Sequence, residues 1–273
     1  MGSEEPQIEI DVLDLPSDMR LEVPQDGLSE IDISEASGKC AYFYRTGRRS
    51  IPIRALDRIT LKRLLEISRV KFGNGGNAAS AKFPLRLNSE IAYLVGALRD
   101  GTISHYYGKY EVSYVQKDVR WLRFLKRLIE TIFEPSNRPR IIVRTGYTPK
   151  LTFSNRVVFE YFKRVFDVKP GRKVDWNTPQ RIKGAHLELQ KSYVRGYFDA
   201  DGVSGTNVGF CQANLETLLF IKGVLNKLGI RCRDKIETRK TSKGNDFYYL
   251  YVRTADIEKF FMLIGSSNPS KTR

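Results

Sequence analysis

The hydrophobic positions between residues 88 and 166 follow the helical period and the strand period in turn. A polar residue able to cap a helix, Asn88 or Ser89, stands at the start of this stretch. The predicted order is a helix, two strands that turn at Gly108, a helix over Arg120–Phe133, two strands on either side of Gly146, and a helix over residues 157–166.

After a polar connection over residues 167–187, the same order recurs with different residues. The sequence predicts a helix over Leu187–Phe198, a strand over residues 207–213, a helix over residues 215–230, two strands around residues 241–245, and a last helix from Ile257. Such a recurrence indicates an internal repeat. The two repeats are predicted to span residues 83–166 and 167–273.

The first 82 residues have a different pattern. Short strand-like runs lie between Leu21 and Ile53, and residues 54–70 have a helical period with a basic outer face. Residues 71–82 are rich in Gly, Asn, Ala and Ser, which is typical of a linker. Residues 1–82 are therefore predicted to be a small α+β domain with a linker. Its role stays open between an added DNA-binding module, a flap over the basic surface, and a remnant of a host protein.

Charge narrows the choice of partner. The 273 residues include 46 Lys and Arg against 31 Asp and Glu, a formal net charge of +15. Such a surplus attracts polyanions, of which nucleic acid is the commonest in a cell, and it suits a protein-binding scaffold poorly. No segment is both amphipathic and apolar enough to anchor at a membrane, so no membrane partner is expected.

The cysteine and histidine content excludes other classes. Cys40, Cys211 and Cys232 have no CxxC spacing, and the histidines are His105 and His186 alone. A zinc cluster of the usual kind is therefore excluded, and a disulfide framework is not expected. The first residues lack the basic and apolar regions of a signal peptide, so we expect a cytoplasmic, intracellular protein.

Each repeat opens with a helix that ends in a carboxylate and a glycine. The first reads LVGALRDG over residues 94–101, and the second reads VRGYFDADG over residues 194–202. VRGYFDADG resembles the nine-residue motif of the LAGLIDADG homing endonucleases, with Gly196, Asp199 and Asp201 at motif positions. The resemblance covers about residues 88–273 and is to the single-chain type with two motifs. It implies an α+β fold in which two pseudo-twofold-related αββαββα repeats form a saddle of antiparallel strands.

The resemblance also implies an active site. Gly96 and Gly196 would form the helix interface, and Asp100 and Asp201 would lie side by side as catalytic and metal-binding acids. The backbone carbonyls of Arg99 and Ala200 would be further metal ligands. Two close carboxylates repel unless a hard cation lies between them, so the expected cofactor is Mg²⁺ or Mn²⁺, with Ca²⁺ as a non-productive substitute. Asp199 is expected to be structural.

Residues at the strand ends complete the expected site. By the resemblance, Gln116, Lys117 and Gln212 would hold the attacking water, and Ala213 departs from the lysine sometimes found at its position. A solvated strand end is an equally good interpretation of each residue. Tyrosines and basic residues that alternate with apolar ones would line one sheet face for DNA. They are Tyr106, Tyr107, Lys109, Arg140, Arg144, Lys150, Arg231, Arg233, Lys235, Arg239, Lys240, Lys243 and Arg253.

One departure leaves the function open. Only Ala97, Leu98 and Arg99 separate Gly96 from Asp100, one residue fewer than in the second motif. Either the first helix ends one residue early, or Val95 takes the glycine position. The expected function is a monomeric, metal-dependent homing endonuclease that cuts double-stranded DNA at a long target. The alternative is a catalytically degenerate nucleic-acid-binding protein, either an RNA maturase or a transcription regulator.

Overall fold

The computed structural model describes residues 8–10, 15–24, 50–73, 78–171, 176–242 and 244–272. The first repeat begins with a helix over Ser89–Ala97, which Asn88 caps by accepting the Ile91 N–H at 2.9 Å. The elements of this repeat are α2 (Ser89–Ala97), a 3₁₀ turn (Leu98–Asp100), β6 (Gly101–Tyr106), β7 (Lys109–Val115), α3 (Val119–Phe133), β8 (Arg140–Ile142), β9 (Lys150–Ser154), α4 (Arg156–Glu160) and a π-helical turn (Tyr161–Val165). Its antiparallel sheet has the order β6-β7-β9-β8.

The second repeat has the same plan. Its elements are α5 (Gln180–Lys183), α6 (Leu187–Asp201), β10 (Gly202–Val203), β11 (Gly209–Gln212), α7 (Leu215–Lys227), β12 (Glu237–Lys240), β13 (Asp246–Tyr251), a 3₁₀ turn (Thr254–Asp256) and α8 (Ile257–Leu263). The sheet order, β10-β11-β13-β12, is that of the first repeat, and all its pairs are antiparallel. The predicted α+β class and the repeated order of elements are confirmed.

The part before the repeats packs against the first of them. Its elements are β1 (Ile8–Glu9), β2 (Met19–Glu22), β3 (Ile51–Pro52), a 3₁₀ turn (Ile53–Ala55), α1 (Arg58–Ile67) and β4 (Arg69–Phe72), and β5 (Arg86–Leu87) follows residue 82. The predicted helix over residues 54–70 is too long, because Ser68 is extended and Val70 belongs to β4. Most of the predicted strands between residues 21 and 53, and Cys40, lie outside the described residues.

Contacts cross the predicted boundary at residue 82. β1 pairs with β5, and Val70 bridges to Ala81 across the predicted linker, whose residues 74–77 lie outside the described ones. Arg156 of α4 pairs with Asp18 at 2.7 Å and lies 4.0 Å from the ring centre of Phe72. Apolar residues from β2 to α8 form one continuous buried cluster. The division into domains stays a prediction.

The core of the repeats is built around α2 and α6. Every residue from Ile91 to Ala97 is buried, and so are most residues of α6 from Tyr193 to Ala200. Since both helices are buried on more than one face, they pack against each other as well as against their own sheets. Within the part of the chain that the structure describes, no helix is both long and apolar enough to cross a membrane.

Candidate active site

Helices α2 and α6 cross where each has a glycine. A Cβ atom at Gly96 would overlap the carbonyl oxygen of Tyr193, and one at Gly196 would overlap the carbonyl oxygen of Tyr93. The two helix backbones are in direct contact at these glycines. The sequence analysis predicted both glycines for the helix interface. The reciprocity also fixes the register of the first motif: Gly96, and not Val95, corresponds to Gly196.

The shorter first motif is compensated by a change of helix type. α6 stays α-helical through Asp201, whereas α2 tightens into a 3₁₀ turn over Leu98–Asp100. A residue rises about 1.5 Å in an α-helix and about 2.0 Å in a 3₁₀ helix. Four residues from Gly96 to Asp100 and five from Gly196 to Asp201 therefore both advance by about 7.5 Å. The acids reach the same level although the spacing differs.

Gln116 connects the two helix ends. Its Nε2 donates to Oδ2 of Asp100 at 3.1 Å and to the carbonyl oxygen of Ala200 at 3.1 Å. Its Oε1 accepts the N–H of Lys117 at 2.8 Å, and Gln212 accepts the N–H of Ala213 in the same way at 2.7 Å. Thus Gln116 and Gln212 occupy matching strand ends, but only Gln116 is seen to join an acid of its own half to the other half.

Both candidate acids are partly buried and have raised pKa values. Burial raises the pKa of Asp100 to about 7, helped by the negative charge of Asp201. Burial also raises the pKa of Asp201 to about 6, against the opposing effect of Lys271 and Arg99. A pair of crowded, desolvated carboxylates of this kind gains from a cation between them.

Asp199 is fully buried and serves the packing of the helices. Its carboxylate accepts hydrogen bonds from Tyr93 Oη at 2.5 Å, from the Ser267 N–H at 2.8 Å and from the hydroxyl of Ser266. Tyr93 Oη itself accepts the indole N–H of Trp121 at 2.7 Å. These bonds use the carboxylate within the core, in line with its expected structural role.

Arg99 occupies the corresponding position of the first motif. Its buried guanidinium donates to the Trp176 carbonyl at 2.9 Å, to Tyr193 Oη at 2.8 Å and to Thr217 Oγ1 at 3.3 Å. It also stacks 3.7 Å from the ring centre of Trp176. The sequence analysis expected only the backbone carbonyl of Arg99 to take part in the site. The structure shows in addition that its side chain connects the two repeats, which the motif did not reveal.

Comparisons with known proteins agree with this geometry. The family model of the LAGLIDADG-like domain matches residues 188–265. Homing endonuclease I-ApeI of Aeropyrum pernix is 28% identical over 192 residues, which cover 67% of this chain and 84% of that protein. The structure of I-DmoI in complex with DNA and Mn matches with a TM-score of 0.51 and 21% identity, over 66% of this chain and 97% of that one. The I-DmoI complex with DNA and Ca matches with a TM-score of 0.50 and 19% identity, over 66% and 93%.

Residues 188–265 match a LAGLIDADG-like domain, and the part of the chain that holds the repeats resembles the single-chain homing endonucleases with two motifs. The helices that carry the two motifs are α2 and α6, one in each repeat.

A lysine that the sequence did not suggest also reaches the LAGLIDADG helix ends. Lys271 Nζ donates to the carbonyl oxygens of Ala200 at 3.2 Å and Gly202 at 2.6 Å, on either side of Asp201. It lies some seventy residues beyond the second motif, after the last helix, α8. No spacing or periodicity could have connected it with Asp201.

The donor set suits a hard divalent ion. Asp100, Asp201 and the Ala200 carbonyl offer oxygen ligands only, which Mg²⁺, Mn²⁺ and Ca²⁺ accept. Among the described residues, no group of three or more His, Cys, Asp and Glu side chains is arranged to hold an ion. Mg²⁺ commonly binds one or two carboxylates and takes its other ligands from water and phosphate, so two acids are enough for a site completed by a nucleic acid.

The sheets present the predicted contact residues unevenly. All are exposed except Lys150, which is half-buried, and Lys243, which lies outside the described residues. Tyr106, Lys109, Arg140 and Lys150 follow the alternation of the polar face of the first sheet. Tyr107 lies at the tip of the β6–β7 turn, with a φ of 45°.

In the second sheet the prediction of one shared face is wrong. Arg239 and Lys240 are neighbours in β12, so their side chains point to opposite faces. Arg239 stacks 4.5 Å from the ring centre of Tyr249, on the face that also carries Tyr251. Residues predicted as strand residues also lie outside the strands, because the strands there are shorter than the basic runs. They are Arg144, Arg231, Arg233, Lys235 and Arg253.

Proposed function

We propose that the protein is a site-specific double-stranded DNA endonuclease that hydrolyses phosphodiesters with divalent metal ions held by Asp100 and Asp201. The observation that carries the proposal is the junction at Gln116, whose amide bonds Asp100 and the carbonyl before Asp201 together. Two acids from two halves thus share one site. I-ApeI is named a homing endonuclease, and I-DmoI, whose fold this chain shares, is bound to DNA with Mn or Ca.

The chain's own residues have distinct tasks in this reaction. A divalent ion at the two acids would polarise a phosphoryl oxygen and lower the pKa of an attacking water. Asp100 and Asp201 would hold the ion, and the Arg99 and Ala200 carbonyls are candidate further ligands. The amide groups of Gln116 and Gln212 can orient the water by hydrogen bonds, since Gln116 follows its strand and contacts Asp100, and Gln212 ends the matching strand of the second repeat. Lys117 is exposed and free to approach a phosphate.

The sheets are the proposed DNA-binding surfaces. Each repeat supplies a four-stranded antiparallel sheet directly after its acid, at Gly101 and Gly202. Basic side chains on strands can contact phosphates and base edges, so each repeat would recognise one half of a long target. A single chain that holds both halves would act as a monomer.

A degenerate, non-cutting protein is not favoured. The reason for that alternative was the missing residue in the first motif, which could have displaced Asp100. The 3₁₀ turn over Leu98–Asp100 compensates for this residue, and Asp100 reaches Gln116 and the neighbourhood of Asp201.

The decisive experiment is cleavage of a randomised duplex library with and without Mg²⁺. We expect metal-dependent cutting of a few long sequences, with a rate at least about 10³-fold lower in Asp100→Asn and in Asp201→Asn, because each removes a charged metal ligand. Glu188→Gln is the matched control, since Glu188 is an exposed acid at the opposite end of α6. Full cleavage by Asp201→Asn would refute the assignment.

Binding to the selected duplex should fall steeply with salt, and a flat dependence would speak against any nucleic-acid role.

A further inference from the structure

Residues 265–272 fold back over the end of α6 and are anchored there. The Ser266 hydroxyl and the Ser267 N–H donate to the carboxylate of Asp199, and Asn268 Nδ2 donates to its carbonyl oxygen at 2.8 Å. Asn268 is fully buried, and its own carbonyl accepts the N–H of Lys271 at 2.9 Å. These hydrogen bonds hold Lys271 at the end of α6, close to Asp201.

The Lys271 ammonium is directed at the candidate metal-binding group. Its two acceptors are the carbonyls of Ala200 and Gly202, which flank Asp201, at 3.2 and 2.6 Å. Its charge acts on Asp100 and on Asp201, and it lowers the pKa of both. Burial lowers the pKa of Lys271, and the surrounding carboxylates oppose that effect. A cation thus already contacts a candidate metal-binding carbonyl beside Asp201.

Arg99, a second cation whose charge acts on Asp201, is committed to other partners. The guanidinium of Arg99 bonds Trp176, Tyr193 and Thr217, and it stacks on the Trp176 ring. Lys271 has a flexible four-carbon stem; its ammonium donates to two backbone carbonyls and lies 5.8 Å from the ring centre of Phe198. Lys271 can therefore withdraw without breaking a side-chain network, which Arg99 cannot do.

We propose that the Lys271 ammonium is a built-in cation of the metal-free active site, and that a divalent ion displaces it from the Ala200 carbonyl in order to bind. This inference rests on the proposed function, because it takes Asp100, Asp201 and Ala200 as the metal-binding group. A divalent ion on the Ala200 carbonyl, which Lys271 Nζ contacts at 3.2 Å, would repel the ammonium strongly in a partly buried site. Lys271 therefore weakens metal binding while it stabilises the metal-free protein, and it is a positioning residue for the acids.

The test is calorimetric binding of Mn²⁺ and Ca²⁺ to the full-length, DNA-free protein. Lys271→Met removes the charge and keeps most of the stem, and we expect it to bind either ion about tenfold more tightly. Lys271→Arg should stay near wild type because it keeps the charge. Lys227→Met is the control, since Lys227 is exposed in the last turn of α7.

Thermal unfolding separates this role from a merely structural one. Lys271→Met should have a lower Tm than wild type in EDTA, where two carboxylates are left uncompensated, and saturating Ca²⁺ should remove the difference. A structural lysine would lower the Tm equally in both conditions. If Lys271→Met proves too unstable to purify, Lys271→Gln retains a donor for the carbonyls and gives the same comparison.

The outcomes distinguish this inference from the proposed function. Equal ion affinity in wild type and Lys271→Met would overturn the role of Lys271, while metal binding that is lost in Asp201→Asn would leave the metal-dependent nuclease intact. Absence of ion binding in wild type and Lys271→Met alike, with or without duplex, would overturn both.

Discussion

The ends of the two motif helices, α2 and α6, differ in length and in charge, yet both place their acids at one site. Helix α6 remains α-helical to Asp201, and α2 reaches Asp100 through a tighter 3₁₀ turn with one residue fewer. In both repeats the acid lies at the same distance along the helix axis from the glycine at which the two helices cross. Pseudo-symmetry is therefore kept in three dimensions where the spacing in the sequence departs from it.

The charges beside the acids show a second difference. The third residue after each crossing glycine is Arg99 in one helix and Asp199 in the other, and each bonds the tyrosine three residues before the glycine of the opposite helix. Tyr193 accepts from Arg99, whereas Tyr93 donates to Asp199. The bonds are reciprocal in position and opposite in polarity, so two copies of one half could not reproduce the interface.

The largest expected effect tests the feature that both helices share, the glycine at which they cross. Gly96→Ala and Gly196→Ala should each lower the free energy of unfolding by about 3 kcal/mol or more, because the added Cβ meets a backbone carbonyl that cannot move aside. Urea unfolding followed by circular dichroism measures this. Gly223→Ala in α7 is the control: outside its own helix backbone nothing lies within 4 Å of its added Cβ, and a gain of about 0.5–1 kcal/mol is expected.

The same pair of variants can break the assigned register. A loss for Gly196→Ala together with no loss for Gly96→Ala would mean that Gly96 does not lie at the crossing. The first motif would then be aligned one residue away, with Val95 at the glycine position, and the compensation by the 3₁₀ turn would be wrong.

Much of the fold was accessible from the sequence because it depends on local periodicity. The order of helices and strands in both repeats follows from apolar spacing and from glycines in turns, and the caps at Asn88, Asp118 and Asn155 reinforce it. The motif acids could be chosen by their resemblance to a family pattern. Local signals of this kind act within a few residues, which is the range over which spacing carries information.

The missed features depend on contacts between distant residues. Lys271 reaches Ala200 through a segment without regular structure, and Arg99 reaches Thr217 across the interface between the repeats. The alternation in β12 was misjudged because a basic run was taken as one surface, although neighbours in a strand face opposite ways. A run of basic residues in the sequence does not show to which face of the sheet each side chain points.

The second prediction compares the opposite charges beside the acids. Arg99→Met should lower the free energy of unfolding by about 3 kcal/mol, since three hydrogen bonds are lost and the Trp176 carbonyl is left buried. Asp199→Asn should cost about 1–2 kcal/mol, because one oxygen remains to accept from its donors. Arg99→Lys should not restore stability, as an ammonium cannot reproduce the planar fork. Equal losses in urea unfolding for Arg99→Met and Asp199→Asn would contradict the comparison.

The last expected effect concerns the acids themselves and depends on pH. A carboxyl whose folded pKa is raised contributes stability that is fully present below its unfolded pKa and is lost as the pH rises through the folded value. For Asp100 that loss extends to about pH 7, and for Asp201 to about pH 6. In EDTA at pH 8, Asp100→Asn should therefore be more stable than wild type by on the order of 2 kcal/mol, and Asp201→Asn by somewhat less. Both gains should shrink towards pH 4.5 in urea unfolding, and Mg²⁺ should abolish them by stabilising the wild-type carboxylates. Gains that stay constant from pH 4.5 to pH 8 would mean that the two carboxylates are not destabilised by burial and mutual repulsion, and the main physical reason for a cation at this site would be removed.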